Sequence, residues 1–295
     1  MNQFPLLVIL SYLIGPTFII ISHLGSLLLL LTGLSWGAMI WIILLYWLRM
    51  LSITSIYHRL LTHKSYQAPK IILWIGCIIA ASAGQMGPNW WKAHHLVHHK
   101  YVEQDDDPHS PLTPVQGIKG FLWSQGGWLL SARFFPEKLP VDAENDPVLK
   151  LIDRLHFLPL VALGGISYSI GGLEYLAAFF VSTTLLFHGV QTVNSFSHLF
   201  GKQPFITTDY SQNNTLVAFL TLGEGWHNCH HAFPASSRHG ITIEGDKVVY
   251  LPDVTFRFIK LLEALKLASK LKIPNERTLL ARGNTNLETS NQNIS

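Results

Sequence analysis

Long apolar runs alternate along the chain with polar segments that carry most of its histidines. No Lys, Arg, Asp or Glu occurs before Arg49, so the first part of the chain lacks the charged side chains that make a segment water-soluble. Four apolar runs are long enough to cross a bilayer as helices, and each pair is joined by a short glycine-containing turn. Pro16 can open the first helix, because proline is tolerated in a helix's first turn. The predicted spans are 16–32, 36–56, 157–171 and 173–196.

A fifth apolar run, over 71–87, is predicted not to cross the membrane. It lies at the short limit for a span, contains three glycines and is followed by Pro88. If it crossed, the histidine-bearing segments on its two sides would face opposite sides of the bilayer. We therefore expect an interfacial or re-entrant helix.

The polar segments are expected to form one cytoplasmic body next to the spans. An insertion over 88–155 and a cap over 199–272 would complete a single membrane domain, 1–272, with a disordered tail at 273–295. Within the cap, 256–271 has amphipathic spacing with several lysines, as in a helix lying on the membrane surface or packed on the domain. The pattern predicts an all-α integral membrane protein with four spans, an interfacial helix and a helical cap.

Composition supports a membrane protein and indicates its orientation. The chain is 48% hydrophobic and 13% charged, about half the roughly 25% charge of soluble domains. All 21 Lys and Arg lie in segments on the histidine side, which predicts that these segments and both termini are cytoplasmic. No basic region or cleavage site marks a signal peptide. Two cysteines form no disulfide framework, and a net charge of +3 does not indicate nucleic-acid binding.

Three clusters contain nine of the fifteen histidines. The first joins His58 and His63, the second runs from His94 to His99, and the third from His227 to His231. On a helix, residues at i, i+3 and i+4 share one face, so His95, His98 and His99 form a ligand face that the third cluster repeats. His58 and His63 are about 140° apart on an α-helix and are predicted to serve different metals.

Two further segments carry polar groups that could support a metal site. Asn194 and His198 stand at i and i+4 where the last span leaves the membrane, and are predicted to reach the same site. His188 and Gln191, earlier on that stripe, fit helix-to-helix hydrogen bonding. The acidic run 105–107 is either a solvated loop or a support for histidine ligands.

Imidazole ligands suit iron, zinc, copper or nickel, so ligand type does not name the metal. Ten histidines are too many for one ion and enough for two, and a structural zinc site needs only four ligands. We favour two redox-active irons. Apolar walls beside a cytoplasmic metal pair indicate an apolar substrate reached from the membrane.

Four motifs closely resemble the membrane fatty acid desaturases of the stearoyl-CoA, delta-9 type. They are Tyr57-His58-Arg59-Leu60-Leu61-Thr62-His63, Trp90-Trp91 through His99 with Asp107-Pro108-His109, Asn194-Ser195-Phe196-Ser197-His198, and Gly223-Glu224-Gly225-Trp226-His227-Asn228-Cys229-His230-His231. The resemblance extends from about Ser22 to Leu267. Two positions depart from the family: Leu96 stands where arginine is usual, and Cys229 where Asn or Tyr is frequent.

The resemblance implies a di-iron site and names its ligands. Asn194 would act through a water, His94 would not bind, and His109 would support a loop. The implied metal ligands are His58, His63, His95, His98, His99, Asn194, His198, His227, His230 and His231.

The resemblance also implies the reaction and its partners. The family inserts a cis double bond, here expected at delta-9, into a long saturated acyl chain with O2 as co-substrate. Acyl-CoA is the expected carrier, with Asn89 and Lys92 near its head group. No flavin, haem or iron–sulfur motif is evident, so a ferredoxin, a rubredoxin or a small b-type cytochrome with its reductase must supply electrons. The expected location is a bacterial inner membrane or, in a eukaryote, the endoplasmic reticulum.

Three alternatives remain open from sequence. A di-iron hydroxylase or ketolase shares the histidine clusters, and an acyl-lipid desaturase differs only in the carrier. A metal transporter is the contrasting class. It would place its ligands at mid-membrane, whereas these histidines lie at helix ends and in water-facing segments.

Overall fold

The computed structural model describes residues 6–140 and 145–283. The chain in these ranges is mostly helical, and its element bounds are as follows: α1 Leu6–Ser26, α2 Leu29–Thr32, α3 Trp36–Ser52, a π-helix Ile53–Thr62, α4 Lys70–Ala81, α5 Pro88–Tyr101, α6 Gly117–Ser124, short 3₁₀ turns at Gly127–Leu130 and Ala132–Phe134, α7 Pro147–Arg154, α8 Phe157–Leu199, α9 Thr215–Leu220, α10 His227–Ala232, β1 Ile241–Glu244, β2 Lys247–Tyr250, α11 Val254–Ala264 and α12 Glu276–Ala281.

Three stretches of the described chain are helical, long and apolar enough to cross a membrane. They are Ile9–Thr32, Trp36–Thr62 and Phe157–Leu199. Their outward surfaces carry large apolar side chains such as Leu30 and Trp36, which are 83% and 79% exposed. Soluble proteins rarely expose apolar surface of this extent, so these helices are suited to a lipid environment.

The long helix α8 folds back on itself at Gly171 and Gly172. Gly172 has φ 64° and ψ −145°, a conformation that residues other than glycine rarely adopt. Trp41 donates to the Ser167 hydroxyl over 3.0 Å, and the Ser182 hydroxyl donates to the carbonyl of the adjacent Ile42 over 3.0 Å. Fifteen residues of straight helix would separate the two serines by about 22 Å. The two halves of α8 are therefore antiparallel, as the predicted turn between 157–171 and 173–196 requires.

The first helix begins earlier than predicted. Leu6–Ser26 is continuous, and Pro16 lies inside it rather than in its first turn. Proline is tolerated within membrane helices because neighbouring groups can satisfy the freed backbone carbonyl. The predicted start at residue 16 is therefore wrong, although the helix and its turn near Gly33 are present.

Helix α4 corresponds to the predicted interfacial segment but is shorter, ending at Ala81 instead of residue 87. Its twelve residues span about 18 Å, less than the hydrocarbon thickness. Ile71, Ile75 and Ile78 are exposed on it. This apolar surface fits an interfacial position, which stays a prediction.

The cap departs from an all-α fold in one place. Antiparallel strands β1 and β2 pair Ile241 with Tyr250 and Glu244 with Lys247. The four-residue strands meet at Gly245, whose φ of 61° allows the tight turn. Helix α11 overlaps the predicted amphipathic stretch 256–271 but begins earlier, at Val254, and ends earlier, at Ala264; Asp253 caps its start by accepting from the Phe256 N–H.

The predicted disordered tail is ordered at its beginning. Helix α12 occupies Glu276–Ala281, capped by Asn275, and its Leu279 is fully buried in a small apolar cluster with Ile241 and Phe205. One buried leucine anchors this short helix, a signal too small to stand out in a polar sequence. The prediction of disorder is therefore wrong for residues 273–283, and residues 284–295 lie outside the described part of the chain.

Candidate metal centre

Nine histidines from four separate segments converge beside the apolar helices. They form two groups whose ring nitrogens could each hold one metal ion. The first, called here the five-histidine group, contains His58, His63, His95, His99 and His230. The second, the four-histidine group, contains His98, His198, His227 and His231. All nine were predicted as ligands, and the structure brings every one of them into a group.

Helix α5 and helix α10 each contribute histidines to both groups. His95 and His99, one turn apart on α5, belong to the five-histidine group, whereas His98 between them belongs to the other. On α10 the division is reversed, because His227 and His231 join the four-histidine group and His230 joins the five. The i, i+4 pair on each helix thus serves one metal position, and the remaining histidine serves the other.

His58 and His63 lie in the same group, so the prediction that they serve different metals is wrong. That prediction assumed an α-helix, whereas Ile53–Thr62 is a π-helix. The His63 backbone N–H donates to the His58 carbonyl oxygen over 3.1 Å, which closes an i+5 turn. A turn of five residues brings the two side chains to the same side of the helix. Their ring centroids are 4.7 Å apart.

The outer nitrogen of several histidines faces a carboxylate. In the four-histidine group, Nδ1 of His98 is 3.0 Å from Asp107. Nδ1 of His198 is 3.0 Å from Glu103, and Nδ1 of His231 is 3.0 Å from Asp209. These carboxylates hold the proton on Nδ1 and leave Nε2 as an unprotonated ligand atom. Asp107 therefore supports a ligand, as one of the two interpretations of the acidic run proposed.

Glu103 and Asp107 are built into one turn after helix α5. Glu103 has φ 60°, which is uncommon for a residue other than glycine. Its backbone N–H donates to Asp107 Oδ2 over 2.9 Å, and its own carboxylate accepts from the Tyr210 N–H. These hydrogen bonds hold the strained residue against His198.

A second polar network supports His58. Its Nδ1 is 2.7 Å from Glu224 Oε2, and Nδ1 of the buried His239 is 3.0 Å from the same oxygen. The other oxygen, Oε1, accepts from Arg59 Nε over 3.0 Å and lies 3.0 Å from Arg59 Nη2 in an ion pair. Arg59 also donates to Asp253 over 3.0 Å. Hydrogen bonds from Arg59 Nε and His239 Nδ1, together with the ion pair to Arg59 Nη2, hold the Glu224 carboxylate beside His58.

Ring nitrogens within each group are spaced as metal ligands are. The Nε2 atoms of His58 and His230 are 3.1 Å apart, and those of His99 and His95 are 3.0 Å apart. In the other group, Nε2 of His227 is 3.0 Å from that of His198 and 3.0 Å from that of His231. Two metal–nitrogen bonds of about 2.1 Å at a right angle would give roughly 3.0 Å.

The protonation pattern fits a bound cation. Where a carboxylate holds the proton on Nδ1, the facing Nε2 atoms are lone-pair donors that cannot hydrogen-bond to one another. The Nε2 atom of His98, 2% exposed, has no hydrogen-bond partner among the described residues. A metal ion in each group would satisfy these lone pairs, so the residues fit the metal pair that the sequence predicted.

Burial favours the neutral, metal-binding form of these rings. It lowers the pKa of His227, His230 and His231 well below the usual value, and neighbouring histidines act in the same direction. The supporting carboxylate of Glu224 remains ionised. Burial alone would raise the pKa of Glu224, but Arg59 and His58 outweigh it and hold that pKa well below its usual range.

Asn194 lies beside both groups, as predicted. It lines a cavity with His58, His95, His98 and His227, and its side-chain nitrogen donates to Gln191 over 2.9 Å. Its amide oxygen is thereby left for another partner. Binding through a water stays a prediction.

Three neighbouring positions are placed as follows. His94 packs against Trp90 and Trp128 outside both groups, with its nitrogens near two backbone carbonyls. Asn89 and Lys92, predicted to contact a head group, are interior residues 1% and 2% exposed. Their head-group role stays a prediction.

Sequence reasoning missed the supports Glu103, Asp209, Glu224 and His239. Glu224 stands three residues before His227, and Glu103 follows α5 directly, so a search for acids near the clusters would have found both. Asp209 and His239 have no such signal. They reach the site through loops whose course only the tertiary structure establishes.

A mostly apolar cavity borders the five-histidine group. It is lined by Trp91 and His95 at the metal end and by Ile19, Met86, Phe187 and Val190 further away. A largely apolar cavity with few polar groups is what a hydrocarbon chain requires. Helices apolar and long enough to span a membrane, together with two buried histidine groups that could each hold a metal ion, indicate the class of membrane metalloproteins.

Comparisons with known proteins identify the family. The family model described as fatty acid desaturase matches residues 34–241. An acyl-CoA C20 Delta5-desaturase of Anemone leveillei is 36% identical over 229 residues, 76% of this chain and 70% of that relative. An sn-1 stearoyl-lipid 9-desaturase of Anabaena variabilis is 34% identical over 270 residues, 90% of this chain and 95% of the relative. The chain belongs to the fatty acid desaturase family and is therefore an oxidoreductase of lipid metabolism.

Proposed function

We propose that the protein is an O2-dependent acyl desaturase that works at a pair of irons held by the two histidine groups. The observation that carries this proposal is the convergence of nine imidazoles into adjacent groups of five and four. A protein acid or base cannot break an unactivated methylene C–H bond, so the reaction needs a redox-active metal. Iron is therefore favoured over zinc, which has no redox chemistry. The metal pair, when bound, would supply the O2 activation and hydrogen removal that the reaction needs.

The protein itself would position the metal ligands and provide an apolar cavity for the substrate chain. Arg59 and His239 hold Glu224 beside the ring of His58, and Asp107 holds the ring of His98. Trp91 stacks on His95 with ring centroids 4.8 Å apart, and both side chains line the end of the apolar cavity next to the histidine groups. A substrate chain that filled this cavity would displace water from the space where its C–H bond lies.

We propose a long saturated chain, of about sixteen to eighteen carbons as is usual in delta-9 desaturases, as the substrate and delta-9 as the position. The apolar cavity between Met86 and Phe187 would hold the chain beside the metals. The sequence led us to expect acyl-CoA as the carrier, but we now favour an acyl-lipid carrier for two reasons. Asn89 and Lys92 lie in the interior, and Leu96 occupies the family's arginine position, which removes a charge-assisted phosphate contact. Such a contact contributes about 1.5–3 kcal/mol.

We further propose four spans, with the halves of α8 crossing separately and the histidines and both termini in the cytoplasm. The confinement of Lys and Arg to the histidine side supports this orientation. The electrons would come from a separate ferredoxin, rubredoxin or b-type cytochrome, because the chain has no motif for a redox cofactor of its own.

Product analysis tests the proposal. The gene would be expressed in a host without unsaturated fatty acids, and lipids analysed by mass spectrometry after derivatisation that locates double bonds. A delta-9 cis product supports the proposal, whereas a hydroxy or keto acid indicates the related oxygenase chemistry. In vitro, stearoyl-phospholipid and stearoyl-CoA would be compared with a matching reductant. Turnover of the CoA ester alone would overturn the carrier assignment and leave the desaturase assignment intact.

A further inference from the structure

The two metal positions differ in the charge that surrounds them. Three of the four imidazoles in the four-histidine group have a carboxylate on their outer nitrogen, from Glu103, Asp107 and Asp209. In the five-histidine group, Glu224 on His58 is the one carboxylate that contacts a ligand imidazole among the described residues.

The carboxylates also differ in how they are compensated. Arg59 pairs with Glu224 and with Asp253, so that this network carries one net negative charge. In the described part of the chain, the ion pairs of the other three carboxylates are with histidines, not with Lys or Arg. Arg133 donates to the backbone carbonyl of Asp107. Three negative charges therefore act on the four-histidine group and one on the five-histidine group.

Low solvent exposure makes this difference effective. The side chains of Glu103, Asp107 and Asp209 are 8%, 0% and 10% exposed. Water screens such charges weakly, and a carboxylate on the outer nitrogen of a metal-bound imidazole makes that imidazole a stronger electron donor. Both effects favour a higher positive charge on the metal.

We propose that the two irons are electronically unequal and that the four-histidine group stabilises the ferric state more strongly. When one electron is added to the diferric pair, it resides on the iron of the five-histidine group, and the second electron enters the four-histidine group at a lower potential. The electron comes from an added reductant, and no bond forms or breaks. This inference rests on the proposed iron pair.

The test is a redox titration of purified protein loaded with ⁵⁷Fe. Reduction with dithionite in the presence of mediators would be followed by Mössbauer and electron paramagnetic resonance spectroscopy. Two one-electron steps and a valence-localised mixed-valence form are expected. A single two-electron step without that form would overturn the inference.

Glu103→Gln and Asp209→Asn assign the sites. Each amide oxygen can still accept the histidine Nδ1–H, so charge is removed while the hydrogen bond is kept. Each variant should lower the ferric-to-ferrous ratio of the lower-potential iron by about tenfold at a fixed potential, which is roughly 59 mV for one electron. The higher-potential step should move much less. Asp246→Asn, in the exposed β1–β2 turn, is the control and should move neither.

A shift of only the higher step in both variants, or of neither step, would overturn the inference. If either Glu103→Gln or Asp209→Asn binds no iron, the remaining one and a third single variant, Asp107→Asn, assign the lower-potential iron. The titration can be run on iron-reconstituted protein whether or not it desaturates a lipid. Failure of the proposed reaction would therefore appear in the product analysis, and failure of this inference in the order of the potentials.

Discussion

The backbone N–H of His63 donates to the carbonyl oxygen of His58, and this single contact places two predicted ligands in one metal group. A side-chain contact of the same spacing lies beside it, since the Thr62 hydroxyl donates to the Tyr57 carbonyl five residues earlier over 2.7 Å. A π-helix leaves the ladder of α-helical hydrogen bonds and persists where surrounding contacts stabilise it. Here those contacts include the fully buried Arg59, anchored to Glu224 and Asp253.

Removing one ligand from either group should remove one metal. His230→Ala affects the five-histidine group and His98→Ala the four-histidine group, because each deletes a bond that no neighbouring side chain replaces. Iron content should fall from close to two per chain towards one, and desaturation should be lost. Iron would be measured by inductively coupled plasma mass spectrometry of purified protein.

His94→Gln is the matched control for that experiment. His94 is next to His95 in the sequence, but its nitrogens face the backbone carbonyls of Trp90 and Arg133. Iron content should therefore stay at the wild-type level. Loss of iron in this variant, equal to that in His98→Ala, would contradict the ligand assignment.

Helix α5 should lose stability when its distant cap is removed. Asp153 on α7 accepts from the N–H groups of Asn89 and Trp90 over 2.8 and 3.0 Å, and from the Tyr12 hydroxyl over 2.9 Å. Asp153→Asn removes the charge that faces the helix N-terminus and should cost about 1–2 kcal/mol. The midpoint of thermal unfolding should fall by several degrees.

Asp106→Asn serves as the comparison, since that carboxylate is exposed in the loop after α5. Its unfolding midpoint should match that of the wild type. Equal midpoints for Asp153→Asn and the wild type would mean that the interhelical cap contributes nothing to stability.

Much of this arrangement could be predicted from sequence because it depends on short-range pattern. Apolar runs predicted the long helices, and the i, i+3, i+4 spacing identified His95, His98 and His99, like the third cluster, as ligands. The division of each cluster between two metals could not be predicted, because it depends on how α5 and α10 face each other. The prediction for His58 assumed an α-helix, because sequence spacing does not distinguish an α-helix from a π-helix. The π-helix found there is accompanied by long-range contacts of Arg59, which the sequence does not reveal.

Labelling with an impermeant thiol reagent should establish the orientation of the spans. Leu34→Cys and Leu173→Cys lie at exposed turns that the proposed topology places outside the cytoplasm. They should react in intact cells, whereas Gln104→Cys and Asn275→Cys should react only after lysis. The natural cysteines, Cys77 and Cys229, are both buried and provide an unreactive background. Reaction at Gln104→Cys in intact cells would mean that α4 crosses the membrane.

His239 should be replaceable by asparagine but not by glutamine. Its Nδ1 contacts Glu224 over 3.0 Å, while its Nε2 is buried without a hydrogen-bond partner among the described residues. The asparagine side chain carries its amide nitrogen at the same number of bonds from Cβ as Nδ1. Glutamine carries it one bond further, near the position of Nε2. If His239 acts by holding Glu224 against His58, only asparagine preserves that contact.

The expected difference is measurable as iron affinity. Loss of a group that supports a metal-bound histidine typically weakens metal affinity about 10–100-fold, so His239→Gln should fall in that range and His239→Asn within about threefold of wild type. Competition with a chelator would measure both, with circular dichroism to show that each variant is folded. Equal losses in the two variants would mean that the imidazole acts through its packing on His230, whose ring centroid is 4.6 Å away, and not through Glu224.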